Sequence, residues 1–115
     1  MLTDRPERIT DEGRWVRVCR SVDVVSRRGW RVELDIEHDL ALFRVNGTAV
    51  AVTNVCPHKR EAQISNGHVE NGTVTCPMHD WCFDLTTGQN RNKMANLATY
   101  RVEEQDGYVW ALIPD

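Results

Sequence analysis

Cys56-Pro57-His58-Lys59-Arg60-Glu61 and Cys76-Pro77-Met78-His79-Asp80-Trp81-Cys82-Phe83 are the stretches around which the rest of the chain is organised. Each opens on Cys-Pro and soon reaches a histidine, and 17 residues separate His58 from Cys76. Together they offer two soft sulfur ligands and two borderline nitrogen ligands. That donor set suits zinc or an iron–sulfur centre and suits magnesium or calcium poorly. A single Cys–His pair would carry little, because cysteine is often a small buried hydrophobe and histidine an ordinary core or surface residue. Two pairs, each with proline in register, carry far more. Cys56, His58, Cys76 and His79 are therefore the candidate ligands.

The double motif, Cys-x-His and then Cys-x-x-His with a proline after each cysteine, resembles that of Rieske 2Fe–2S proteins. In such centres two histidines replace two cysteines on one of the two irons. The resemblance implies one 2Fe–2S cluster, with Cys56 and Cys76 on one iron and His58 and His79 on the other. It also implies an antiparallel β-sandwich or partly open barrel, with the cluster in a small subdomain at one tip. A structural zinc site accepts the same four ligands and is the competing reading, as an interaction module. Zinc sites usually group cysteine with cysteine and histidine with histidine at short spacings, whereas each half here mixes the two.

A chain of 115 residues reads as one domain over 1–115, large enough for a single core. The net charge of −3 lacks the basic footprint of nucleic-acid binding. No apolar run approaches the roughly 20 residues that span a bilayer, and no apolar leader is visible. Cysteines partnered with histidines point to metal in a reducing compartment, so a cytoplasmic location is expected.

The flanking sequence reads as short strands. Residues 1–13 are polar, include Pro6 and Gly13, and are expected to form a loose arm. Trp15 to Arg20 is expected as a strand with Val16 and Val18 inward and Trp15, Arg17 and Cys19 outward. Ser21 to Gly29 is a turn region with a helical turn after Ser21. Trp30 to Glu37 alternates apolar and charged residues, the pattern of a half-buried strand, and His38 follows as a solvated loop residue. Leu40 to Val45 and Thr48 to Val55 form a hairpin through Asn46-Gly47, a type I′ signal. Ala49 to Val52 is apolar on both faces, so this strand should be central, and it runs directly into Cys56. Asn71-Gly72 makes a second hairpin, with His68 exposed, and Thr73 to Thr75 leads into Cys76. Trp81 and Phe83 should pack beneath the second loop, and Cys82 is structural. Gln89 to Asn96 reads as an exposed loop. Leu97 to Glu103 and Tyr108 to Ile113 close the domain through Asp106-Gly107. These roughly eight strands predict an all-β sandwich or partly open barrel, with the cluster-binding segment 56–83 formed by two loops.

A fully ligated 2Fe–2S centre leaves no open position for a substrate, so its task is to pass one electron. The chain shows no Gly-rich nucleotide loop and no second His–carboxylate site. It reads as an electron carrier or redox subunit rather than a complete enzyme. Within the family, Cys56 to Glu61 with Ile64-Ser65 and Gly67 resembles the small subunit of assimilatory NAD(P)H nitrite reductase. Asp80-Trp81 after His79, followed by Asp84-Leu85 and Thr87-Gly88, is more similar to Rieske ferredoxins that feed ring-hydroxylating oxygenases. The expected partner is thus the nitrite reductase large subunit, or an oxygenase or reductase component. Lys59-Arg60 is either a solvated loop face or a basic rim for an acidic partner. High-potential relatives carry Ser and Tyr two and four residues after the second histidine, and an extra disulfide. Trp81, Phe83 and Met78 stand at those positions here, which implies a low potential.

Overall fold

In the computed structural model, which describes residues 5–57, 63–77, 81–92 and 95–114, three dipeptides set the hairpins. Asn46-Gly47, Asn71-Gly72 and Asp106-Gly107 all have positive φ at both positions, with values of 50° to 83°. That is the type I′ turn, whose twist matches that of the strands it joins.

The described residues form eleven strands and two short 3₁₀ turns, at Ser21–Asp23 and Ile64–Asn66. The strands are β1 (Glu7–Thr10), β2 (Gly13–Arg20), β3 (Trp30–Glu33), β4 (Asp39–Val45), β5 (Thr48–Thr53), β6 (His68–Glu70), β7 (Thr73–Thr75), β8 (Cys82–Asp84), β9 (Thr99–Tyr100), β10 (Val102–Gln105) and β11 (Tyr108–Ile113). They build three antiparallel sheets, ordered β1-β2-β11-β10, β3-β4-β5-β9 and β6-β7-β8. None closes into a barrel.

The central hairpin is apolar on both faces because it serves two cores. Leu40 and Leu42 of β4, with Ala49 and Ala51 of β5, pack on Val16, Val18, Val109 and Ile113 from the first sheet. Ala41 and Phe43, with Val52, face the other way, onto Ile64, Val74, Phe83, Leu85 and Leu97. All of these are nearly excluded from solvent. Arg44 ties the first two sheets together. Its guanidinium grips both carboxylate oxygens of Glu104 at 2.9 and 3.0 Å and donates to the Val24 and Ser21 carbonyls at 2.8 and 3.0 Å.

Several expectations are corrected. Residues 7–10, expected in a loose arm, form an edge strand paired with Gly13 to Val16, although all four are exposed. Trp15, expected outward, is buried, with the Arg101 guanidinium 5.7 Å from its ring centroid. The strand expected over 30–37 stops at Glu33. There the Asp35 carboxylate accepts the N–H groups of Glu37 and His38, both at 2.8 Å, and folds the chain back. Ile36 is consequently fully exposed, and Trp30 on the edge strand is partly so. His38 is half-buried rather than solvated, with Nδ1 3.0 Å from Asp35 and its ring edge on Tyr100. The strand expected over 97–103 is two strands. Thr99–Tyr100 pairs with β5 and Val102–Gln105 pairs with β11, so the chain crosses between sheets at Arg101.

Candidate metal centre

The first ligand loop leaves the end of β5. Asn54, fully buried, fixes where it starts and returns. Its N–H donates to the Asp39 carbonyl, its own carbonyl accepts the Ile64 N–H, and Oδ1 accepts the Ser65 N–H, all at 2.7 Å. A bridge between Val55 and Gln63 narrows the neck further. Cys56 follows with no exposed surface, while Pro57 beside it is exposed. The chain therefore passes from core to surface within one residue. Nδ2 of Asn54 is buried and has no hydrogen-bond partner among the described residues.

The second loop connects β7 to β8. The Cys76 N–H donates to the Trp81 carbonyl at 2.9 Å and closes it. Cys76 is buried and Pro77 exposed, repeating the arrangement of the first loop. Phe83 lies wholly in the second core, with the Trp81 ring edge-on at 6.3 Å. The segment expected as an exposed loop over 89–96 is partly pinned by Asn90, which is 1% exposed. Asn90 Nδ2 donates to the Ala95 carbonyl, and its Oδ1 accepts the Asn92 N–H. Asn92 in turn accepts the Cys82 N–H, so this segment buttresses β8.

The two loops meet. Cys76 Sγ donates to Cys56 Sγ at 3.5 Å inside the second core, among Phe43, Val52, Ile64, Val74 and Phe83. Two sulfurs bound at about 2.3 Å to one tetrahedral metal would stand about 3.8 Å apart, so this spacing fits a shared metal. None of the four cysteines is in a disulfide. Gly67 makes the contact between loops possible. A Cβ there would lie 2.5 Å from the Thr75 carbonyl oxygen, one residue before Cys76.

The other cysteines lie elsewhere. Cys19 lines an open groove of about 460 Å³ with Arg17, Trp30, Arg31 and Tyr108, on the side of the first core. Burial, with Asp23 nearby, pushes its thiol up to about 12, so it stays protonated. Cys82 is half-buried and sits opposite Thr75 across β7 and β8. His58, His79, Lys59, Arg60 and Met78 lie outside the described residues. Asn54 and Gly67 are the positioning residues that the motifs alone did not single out. A lone asparagine just past the apolar run Ala49 to Val52, two residues before Cys56, was the available signal.

Comparison with known proteins agrees with this geometry. The model of the Rieske 2Fe–2S domain matches residues 14–101. A nitrite reductase (NAD(P)H) of Emericella nidulans is 39% identical over 85 residues, or 65% of this chain, which spans 8% of that protein's length. The 3-phenylpropionate/cinnamic acid dioxygenase ferredoxin subunit of Photorhabdus laumondii is 39% identical over 80 residues, 67% of this chain and 75% of that protein. Among solved structures, the Sphingomonas yanoikuyae B1 ferredoxin superposes with a TM-score of 0.78 at 27% identity, over 85% of this chain and 97% of that one. A Mycobacterium tuberculosis protein assigned as an NADH-dependent nitrite reductase small subunit superposes at 0.75 and 27% identity, over 84% and 92%. The chain belongs to the Rieske 2Fe–2S domain family. It is a Rieske-type electron-transfer protein, and its cofactor is one 2Fe–2S cluster. Among the described residues, no helix is long and apolar enough to cross a membrane.

Proposed function

We propose that Cys56 and Cys76 hold one iron of the cluster and His58 and His79 the other, and that the protein is the small redox subunit of a cytoplasmic NAD(P)H nitrite reductase. The observation that carries the ligand assignment is the 3.5 Å approach of the two buried sulfurs. When bound, the cluster supplies a one-electron donor and acceptor. The chain's own residues do the rest. Cys56 and Cys76 anchor the inner side, within an apolar wall of Ile64, Val74 and Phe83 that excludes water. Pro57 and Pro77, each following a buried cysteine, are exposed, so both loops turn from core to surface there. Reduced thiolates require a reducing compartment, hence the cytoplasm.

The nitrite reductase assignment rests on the first loop, Cys56 to Glu61, and on the similarity to the Emericella nidulans enzyme. Lys59 and Arg60, next to a ligand, would contact an acidic face of the large subunit. The second reading is a ferredoxin delivering electrons to a ring-hydroxylating oxygenase, favoured by the Photorhabdus laumondii relative, of which this chain covers 75%. Co-purification with the large subunit, and NAD(P)H-dependent nitrite reduction with and without this chain, separate the two. The first reading expects binding that weakens with salt and in a K59E/R60E variant, because rim charges act through screened electrostatics. If the large subunit neither binds nor needs the chain while an oxygenase accepts its electrons, the ferredoxin reading holds.

A further inference from the structure

Asn54 has one polar atom more than its role in the loop requires. Its main-chain N–H and carbonyl, and Oδ1, make three 2.7 Å hydrogen bonds that close the first ligand loop. Nδ2, equally buried, has no acceptor among the described residues, and neither cysteine sulfur accepts from it in the absence of a metal centre. The carboxamide cannot simply be turned over, because Oδ1 is the only end that can accept the Ser65 N–H. Aspartate would offer an oxygen to the same N–H and strand no donor, but it would bury a charge. Buried polar groups are nearly always paired, so an orphan beside a candidate metal site calls for a partner.

The surroundings indicate which group. Cys56 is two residues along the chain and fully buried, and Cys76 Sγ lies 3.5 Å from its sulfur. Around them are the apolar side chains of Phe43, Val52, Ile64 and Val74. Negative sulfur placed in such apolar surroundings gains most from N–H groups directed at it, and gains more in the reduced, more negative state. We propose that Asn54 is a positioning residue of the metal site: Oδ1 holds the ligand loop closed, and Nδ2 is kept as a hydrogen-bond donor to the sulfur of the loaded centre. This rests on Cys56 and Cys76 being ligands. Asn54 thereby couples the fold of the loop to the ease of reduction.

The test uses the loaded protein, labelled with nitrogen-15 only at asparagine side-chain amides and reduced with dithionite. Pulsed EPR of the wild type is expected to show a hyperfine coupling from a labelled amide. Asn54→Asp keeps an oxygen for the Ser65 N–H and lacks the donor. It is expected to lose the coupling, and the lost donor and the added charge both act to lower its reduced-to-oxidised ratio at a fixed potential, by about tenfold or more, equivalent to 59 mV for one electron. A loaded wild type without the coupling overturns the proposal even if the variant fails to assemble. So does a coupling that survives in Asn54→Asp, or an unchanged potential there. A wild type with no EPR-active cluster overturns the ligand assignment instead, so the two failures are told apart.

Discussion

Cys56 Sγ and Cys76 Sγ lie 3.5 Å apart although their loops hang from different sheets, one from the end of β5 and the other from β7. Two devices bring them together. Asn54 pins the return of the first loop at Ile64 and Ser65. The turn that follows, ending in Gly67, then packs against Val74 and Thr75. Half of the proposed ligand set is thus brought together by the fold itself, which would lower the ordering cost of metal binding.

Gly67 is the most sensitive point of this arrangement. Its φ of −74° suits any residue, so backbone strain is not the issue. Space is: a Cβ would meet the Thr75 oxygen at 2.5 Å and Val74 Cγ2 at 2.7 Å. Gly67→Ala should therefore cost about 1–3 kcal/mol by overpacking. The melting temperature should fall by roughly 4–8 °C for each kcal/mol, and cluster content should fall with it. Calorimetry and iron analysis of the variant check this, and wild-type values for both would contradict it.

The Arg44–Glu104 pair should give the fold an acid-sensitive joint. Its hydrogen bonds from Arg44 hold the Glu104 carboxyl below the ordinary carboxylate value. A depressed value in the folded state means that the unfolded chain binds the proton first as pH falls. The contribution is therefore complete above the ordinary carboxylate range and is lost as pH drops through the folded value. Glu104→Gln should lower the melting temperature at neutral pH, and its difference from wild type should shrink toward acid. A difference independent of pH would refute this role. Using the difference removes the parallel effect of Asp84, whose carboxyl is lowered by N–H groups of Thr87 and Thr86.

The reduction potential should lie at the low end of the Rieske range, which runs from about −150 to +300 mV. Hydroxyl donors to the sulfurs favour the reduced state. Trp81 and Phe83 stand where high-potential relatives carry such donors, and neither has a hydroxyl. Protein-film voltammetry measures it directly, and a clearly positive value would contradict the reading.

How much of this was legible in the sequence depended on which forces were local. The three Asn-Gly and Asp-Gly turns and the hairpins they close follow from backbone preferences of two residues, and all three form. The two-faced burial of β5 was visible as the apolar run Ala49 to Val52, but its reason, two separate cores, was not. Trp30 to Glu37 misled because perfect alternation says nothing about Asp35 capturing two N–H groups and ending the strand. Leu97 to Glu103 misled because a crossing between sheets at Arg101 is decided by distant partners. At the site, the cysteine pair was singled out by the repeated Cys-Pro motif with a histidine soon after each. Asn54 was not, because its value comes from Asp39, Ile64 and Ser65, which only the fold brings to it.

Iron and acid-labile sulfide analysis of cysteine and histidine variants, paired with EPR of the reduced proteins, tests the ligand assignment most directly. Wild-type protein, and the Cys19→Ala and Cys82→Ala variants, should each hold two irons and two sulfides with one EPR signal typical of a mixed histidine–cysteine centre. Cys56→Ala, Cys76→Ala, His58→Ala and His79→Ala should each lose it. Zinc without iron in anaerobically prepared wild type, or a cluster that survives His79→Ala and vanishes in Cys82→Ala, would contradict the account.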